Sequence, residues 1–131
     1  KYWLIDFGAA RDMDGSTLTM TGKCAPLTPG YAAPEQFKAE LKKQLDSRAD
    51  LFAIGVTVYE LLSGANPFVR PDYGVYDVLR STVVETADTL DIPGDEKGEL
   101  AGFIKTLMQK NPTFRPPTAK WAQMIFNGLR V

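Results

Sequence analysis

Residues 47–64, SRADLFAIGVTVYELLSG, constrain the fold more than any other stretch of this chain. Between Leu51 and Leu62 nearly every position is apolar, and Ala53, Ile54, Val56, Val58, Leu61 and Leu62 fall all round a 3.6-residue helix instead of along one stripe. A helix apolar on every side belongs in an interior, so the pattern predicts a central post. Its ends are marked. Ser47 is placed to cap the N-terminus, Asp50 follows in a capping-box position that suits the positive end of the helix dipole, and Gly64 stops the helix. About 17 residues at about 1.5 Å each make a rod of roughly 25 Å, enough to cross a small helical domain. A membrane span is not expected, because the apolar run is short and Glu60 interrupts it.

The 131 residues, 44% hydrophobic, suffice for one core, so one domain or part of one is expected. The net charge of −1 offers no field to attract nucleic acid or acidic lipid. Cys24 is the single cysteine, which excludes an intrachain disulfide framework and suits a reducing, cytoplasmic compartment. Histidine is absent, and with it His metal sites and Ser-His or Cys-His catalysis. Chemistry must therefore use carboxylates. The chain opens on Lys1 and a strand-like run without a secretory signal, which suggests a cut made inside a domain.

Tyr2, Trp3, Leu4 and Ile5 predict a buried strand, and Asp6-Phe7-Gly8 then presents a carboxylate at the strand's edge, suited to a hard cation. Residues 9–27 are polar and rich in Ser and Thr, and a loop beyond about 12–15 residues usually has a purpose. Ser16, Thr17, Thr19 and Thr21 are candidate phosphate acceptors, with Arg11 and Lys23 the nearby cations. Thr28-Pro29-Gly30 makes a turn, and Pro34 opens a short helix with Glu35 in its first turn. Later, residues 73–84 predict an amphipathic helix with Val75, Val78, Leu79 and Val83 inward. A second covers 96–110 through Leu100, Phe103, Ile104, Leu107 and Met108, and Pro112 stops it. Thr118 caps a last helix whose Trp121, Met124, Ile125 and Leu129 are expected in the core. The fold class is mainly α, with one leading strand and about five helices.

A strand into Asp-Phe-Gly, a hydroxyl-rich loop and then Thr28-Pro29-x-Tyr31-x-Ala33-Pro34-Glu35 resembles the activation segment of eukaryotic-type protein kinases. The likeness continues in order. Asp50-x-Phe52-x-x-Gly55, with Tyr59-Glu60-Leu61-Leu62-x-Gly64-x-x-Pro67-Phe68, resembles that family's central F helix and the turn after it. Asn111-Pro112-x-x-Arg115-Pro116 is similar to its closing arginine motif. The chain thus resembles the C-terminal half of a bacterial-like serine/threonine kinase domain, α+β as a whole. Residues 1–8 would be the metal-binding strand, 9–35 the activation segment and 36–131 the helical C-lobe.

The resemblance implies ATP as co-substrate, magnesium or manganese as cofactor, and a protein substrate. It implies that Asp6 binds the metal, that Phe7 and Gly8 shape the nucleotide side of the cleft, and that Thr28 orients the catalytic aspartate and the substrate hydroxyl. It makes Thr19 and Thr21 the regulatory phosphorylation pair, with Thr17 and Ser16 beside them and Arg11 to receive the phosphate; Cys24 stands where some animal kinases keep a phosphothreonine. Leu27 departs from the family's usual glycine. Glu35 and Arg115 would form a buried ion pair, Asp50 would hold the catalytic loop, Thr57 and Leu61 would lie beneath the adenine, and Glu60 would face a basic substrate residue. Nothing in the chain resembles the Gly-rich loop, the nucleotide lysine and its glutamate, or the His-Arg-Asp catalytic loop. The expectation is a fragment inactive alone, which pairs with a missing N-terminal half or self-associates through exposed core. Its parent would be cytoplasmic or the cytoplasmic part of a membrane-anchored kinase. The alternative is a pseudokinase or docking module without phosphoryl transfer.

Overall fold

Four α-helices succeed one another in residues 27–130, the part of the chain that the computed structural model describes. They are α1 (Arg48–Ser63), α2 (Val75–Val84), α3 (Glu99–Leu107) and α4 (Ala119–Gly128), and 3-10 turns occupy Pro34–Gln36, Ala39–Gln44 and Pro112–Phe114. The described residues contain no strand, in keeping with a mainly helical lobe, and the strand expected at 2–5 lies outside them. The short helix expected at Pro34 is a 3-10 turn. No helix among the described residues is long and apolar enough to cross a membrane.

The core forms where α1 crosses α3. Phe52, Val56 and Tyr59 of α1 recur at helical spacing and meet Ile104 of α3 and Met108 at its C-cap, with Ala33, Ala49, Phe68 and Ala87 closing the cluster. Fully burying one such large apolar side chain stabilises by about 1.5–3 kcal/mol. A smaller cluster of Leu51, Leu107 and Ala122 joins α4 to the same crossing. The expectation of a post buried on every side needs correction: Ile54 is 50% exposed, Leu61 78% and Leu62 49%. Among the described residues the helix packs along one side only, so its other apolar side stays open.

Capping explains where the predicted ends moved. Ser47 makes no capping bond, because its backbone is already helical (φ −60°, ψ −13°) where a cap needs an extended one. Asp46 does that work instead, its Oδ1 accepting from the Arg48 amide at 2.8 Å while the Arg48 guanidinium closes on the same carboxylate at 2.7 Å. That guanidinium holds the Asp46 carboxyl below its ordinary range. Gly64 ends α1 as expected, in the left-handed region at φ 83°. The helix expected over 96–110 begins at Glu99, since Gly98 is left-handed (φ 68°) and the buried Asp95 carboxylate accepts from the amides of Leu100 (3.2 Å) and Ala101 (2.8 Å). The helix expected from 73 begins at Val75, and Val75 itself is exposed; Val78, Ser81 and Thr82 face inward.

Thr118 caps α4 as expected, accepting from the Trp121 amide at 3.2 Å. The expected core residues of α4 are not core. Trp121, Met124 and Ile125 are exposed and Leu129 is half-buried; among the described residues α4 meets the crossing through the small Ala122 and through Phe126, whose ring lies 6.1 Å from that of Phe103.

The α1–α3 crossing depends on a missing side chain. A Cβ at Gly55 would lie 2.8 Å from Leu107 Cβ and 2.9 Å from Met108 Cγ, atoms close to the backbone with little room to yield. Gly55→Ala is expected to destabilise by about 1–3 kcal/mol despite alanine's better helix propensity. Gly102→Ala, with nothing within 4 Å of the added carbon, should gain about 0.5–1 kcal/mol from propensity. Urea midpoints of the two variants check this; shifts of the same sign would disprove the packing account.

Candidate functional site

The segment 28–36 folds onto the helices through a turn that proline and glycine set. The Thr28 carbonyl accepts from the amides of Tyr31 (3.1 Å) and Ala32 (3.0 Å), and Gly30 takes φ 91°. A Cβ at Gly30 would sit 2.8 Å from Val69 Cγ2 and 3.2 Å from Asn66 Nδ2. The backbone therefore approaches the loop after α1 as closely as only glycine permits. Asn66 clamps that approach, its Nδ2 donating to the Gly30 carbonyl (3.1 Å) and its Oδ1 accepting from the Phe68 amide (2.9 Å). The Tyr31 hydroxyl donates to the Glu60 carboxylate, a bond that raises the phenol above its ordinary pKa. Thr28 lies at the outer edge of this turn with its side chain exposed.

Beneath the turn, Glu35 and Arg115 meet across 80 residues of sequence, both side chains fully buried. Arg115 Nη1 donates to Glu35 Oε1 at 2.6 Å and Nη2 to Oε2 at 2.9 Å, a two-pronged pair. The remaining guanidinium hydrogens go to carbonyls: Nη1 to Arg48 (2.8 Å), Nη2 to Lys110 (3.3 Å) and Nε to Gln109 (2.7 Å). All five donors are used, and the guanidinium lies 5.0 Å from the Phe52 ring centroid. Phe52 stacks on Phe68 at 6.0 Å, and the Lys110 ammonium sits 3.9 Å from the Phe68 centroid. Burial first, and the Arg115 charge second, push the Lys110 pKa down to about 8, with Glu85 opposing them.

The structure thus brings Glu35 and Arg115 together and places Thr28 on the same segment. Asp50 stands in the exposed first turn of α1, and its amide donates to the Ser47 carbonyl at 3.1 Å. Thr57 and Leu61 lie on exposed positions of α1, and Glu60 is engaged by Tyr31. Asp6, Phe7, Gly8, Arg11, Ser16, Thr17, Thr19, Thr21 and Cys24 fall outside the described residues. Within the described residues no group of three or more acidic, His or Cys side chains could hold a metal ion. Sequence reasoning missed Asn66 and Lys110. Asn66 carried a signal, since an asparagine before proline marks a turn; Lys110 carried none. By itself the arrangement is a rigid platform: it presents a hydroxyl-bearing turn and contains no acid–base pair for chemistry.

Comparison with known proteins gives this platform a context. The protein kinase domain family matches residues 2–126. A probable serine/threonine-protein kinase of Corynebacterium efficiens is 42% identical over 120 residues, covering 88% of this chain and 18% of that protein. The probable serine/threonine-protein kinase PknB of Corynebacterium glutamicum is 32% identical over 120 residues, with the same coverage of 88% and 18%. Serine/threonine-protein kinase apg-1 of Neurospora crassa is 32% identical over 114 residues, 86% of this chain and 11% of its own length. The chain therefore spans a fifth or less of these relatives.

Two measurements check the site. Glu35→Gln or Arg115→Met, by leaving one charge or donor set buried alone, should each cost about 3–5 kcal/mol, and the double variant should cost clearly less than their sum. Additive losses in a double-mutant cycle would mean that the pair is not coupled. Lys110 binds its proton more weakly folded than unfolded, so between about pH 8 and 10.5 the unfolded chain holds more protons. Stability attributable to Lys110 should therefore rise with pH across that window and fall as pH drops through about 8. Denaturation midpoints of wild type minus Lys110→Met, taken against pH, test it; a flat difference would contradict the burial argument.

Proposed function

This chain belongs to the protein kinase domain family, and on that premise we propose that it is the helical part of a serine/threonine protein kinase that moves the γ-phosphoryl group of ATP to protein Ser and Thr hydroxyls. The observation that carries the reading is the buried Glu35–Arg115 pair, which pins the 28–36 segment to the helices and leaves Thr28 exposed above them. Phosphoryl transfer is mainly a matter of positioning, and a segment held by a two-pronged buried pair, an asparagine clamp and a tyrosine–glutamate bond is a positioning device. The names of the relatives support serine/threonine over tyrosine specificity.

Within this proposal Asp6 is the metal ligand, a hard carboxylate in a chain without histidine and so suited to magnesium or manganese. A bound ion of that kind neutralises charge on the phosphate oxygens. Phe7 and Gly8 border the nucleotide, and Thr28 orients the substrate hydroxyl. Arg11 receives a phosphate placed on Thr19 or Thr21, with Ser16 and Thr17 as further acceptors. Asp50 holds a catalytic loop that this sequence does not contain. The 131 residues alone are accordingly proposed to be inactive and to need the nucleotide-binding half of the domain as partner. A cytoplasmic setting, free or membrane-tethered, belongs to the same proposal.

The test is phosphate transfer from magnesium-ATP by the full-length protein beside its Asp6→Asn variant, with mass spectrometry mapping phosphate within residues 16–21. Label on the wild type and a loss of at least about 100-fold on the variant are expected, since a group acting only in transfer is removed. No label on a demonstrably folded wild type would replace this reading by that of a docking module. Label on the variant would remove Asp6 from its role.

A further inference from the structure

A cavity of about 290 Å³ opens beside the 28–36 turn, between the end of α1 and the segment that follows α2. Its walls include Tyr59, Asn66, Val69, Arg70, Glu85 and Asp88. Two of these also hold the turn, since Asn66 donates to the Gly30 carbonyl and Val69 lies against Gly30. The exposed Thr28 stands two residues before that contact.

The polar groups of the cavity are unequally satisfied. Glu85 is occupied: its carboxylate accepts from the Arg70 guanidinium at 3.3 Å and from the Tyr73 hydroxyl at 3.2 Å. That pairing neutralises Arg70, which also rests over the Tyr73 ring, 5.8 Å from its centroid. Asp88 is exposed and enters no ion pair or hydrogen bond among the described residues, so its charge is the one left over on the lining. Tyr59 is only 8% exposed, and its hydroxyl has no hydrogen-bond partner among the described residues. Burial first and the Asp88 charge second push that phenol above its ordinary pKa, so it stays neutral within reach of the carboxylate's field.

On the reading of this chain as part of a serine/threonine kinase, we propose that the cavity takes an arginine or lysine side chain of the protein substrate. The cationic head would lie between the Asp88 carboxylate and the Tyr59 hydroxyl, with the methylene stem along the half-open face of Val69. The chemistry favours a cation. Guanidinium and ammonium groups only donate, a carboxylate only accepts, and a phenol oxygen accepts as well. An acidic side chain would meet the unbalanced Asp88 charge, because Arg70 is already paired. An apolar one would leave both free groups without a partner.

The test uses the full-length protein and fluorescent peptides of alanine around one serine, with a single arginine walked through the flanking positions. Fluorescence anisotropy reads binding without any need for phosphate transfer, and transfer from magnesium-ATP is measured beside it. One spacing of arginine from serine should tighten binding by about tenfold and lower KM to match, as charge-assisted hydrogen bonds form in the ground state. Asp88→Asn should remove that gain, Tyr59→Phe should reduce it, and Asp88→Arg should turn the preference at the same spacing to glutamate. Asp88 is exposed and Tyr59→Phe keeps the buried ring, so these variants should fold. Equal binding at every spacing, or a gain that survives Asp88→Asn, would overturn the pocket in favour of general charge attraction. Spacing-dependent binding without transfer would uphold the pocket and count against the kinase reading, so the two can fail separately.

Discussion

A guanidinium with no solvent exposure is the constraint on which the rest of this structure turns. Removing such a charge from water costs several kcal/mol, and the cost is met only where every donor finds an acceptor and a countercharge lies at contact. Arg115 satisfies that condition by drawing on Glu35, Arg48, Gln109 and Lys110, which belong to three separate parts of the chain. None of these parts can shift without orphaning a buried hydrogen. The pair's service is therefore geometric: it sets where the 28–36 segment sits, more than it adds net stability over an apolar pair of equal volume.

The helical crossing below it supplies the rigidity. Phe52 lies under the Arg115 guanidinium and also packs in the α1–α3 core, so the ion pair and the apolar core share one side chain. Gly55 brings α3 close, and Gly30 brings the turn close, each by omitting a side chain. On the proposed reading, function in this chain is a matter of holding a segment still. The acids and hydroxyls proposed for chemistry stand at its edge or before it.

Much of this was legible in advance. The order of the helices, the glycine end of α1, the Thr118 cap and the Glu35–Arg115 partnership all follow from local signals or from the resemblance of short motifs. The N-terminal ends of α1 and α3 were harder. Their caps are Asp46 and Asp95, and Asp95 reaches six residues forward to the Ala101 amide, beyond the local window in which a capping box is recognised. The apolar stripe of α4 misled for a different reason. Trp121, Met124 and Ile125 have the spacing of a buried face, yet among the described residues it is Ala122 and Phe126 that meet the crossing.

The sequence by itself determined the kind and order of the elements, the absence of histidine, and the family to which the motifs belong. Periodicity, capping and turn chemistry are properties of neighbours along the chain, so one dimension suffices to read them. Only the tertiary structure decided which apolar faces are covered, that Asn66 clamps Gly30, and that Lys110 is buried over Phe68 without a hydrogen-bond partner among the described residues. Burial and desolvation depend on what packs from elsewhere in the chain, and no residue carries that information within its own stretch.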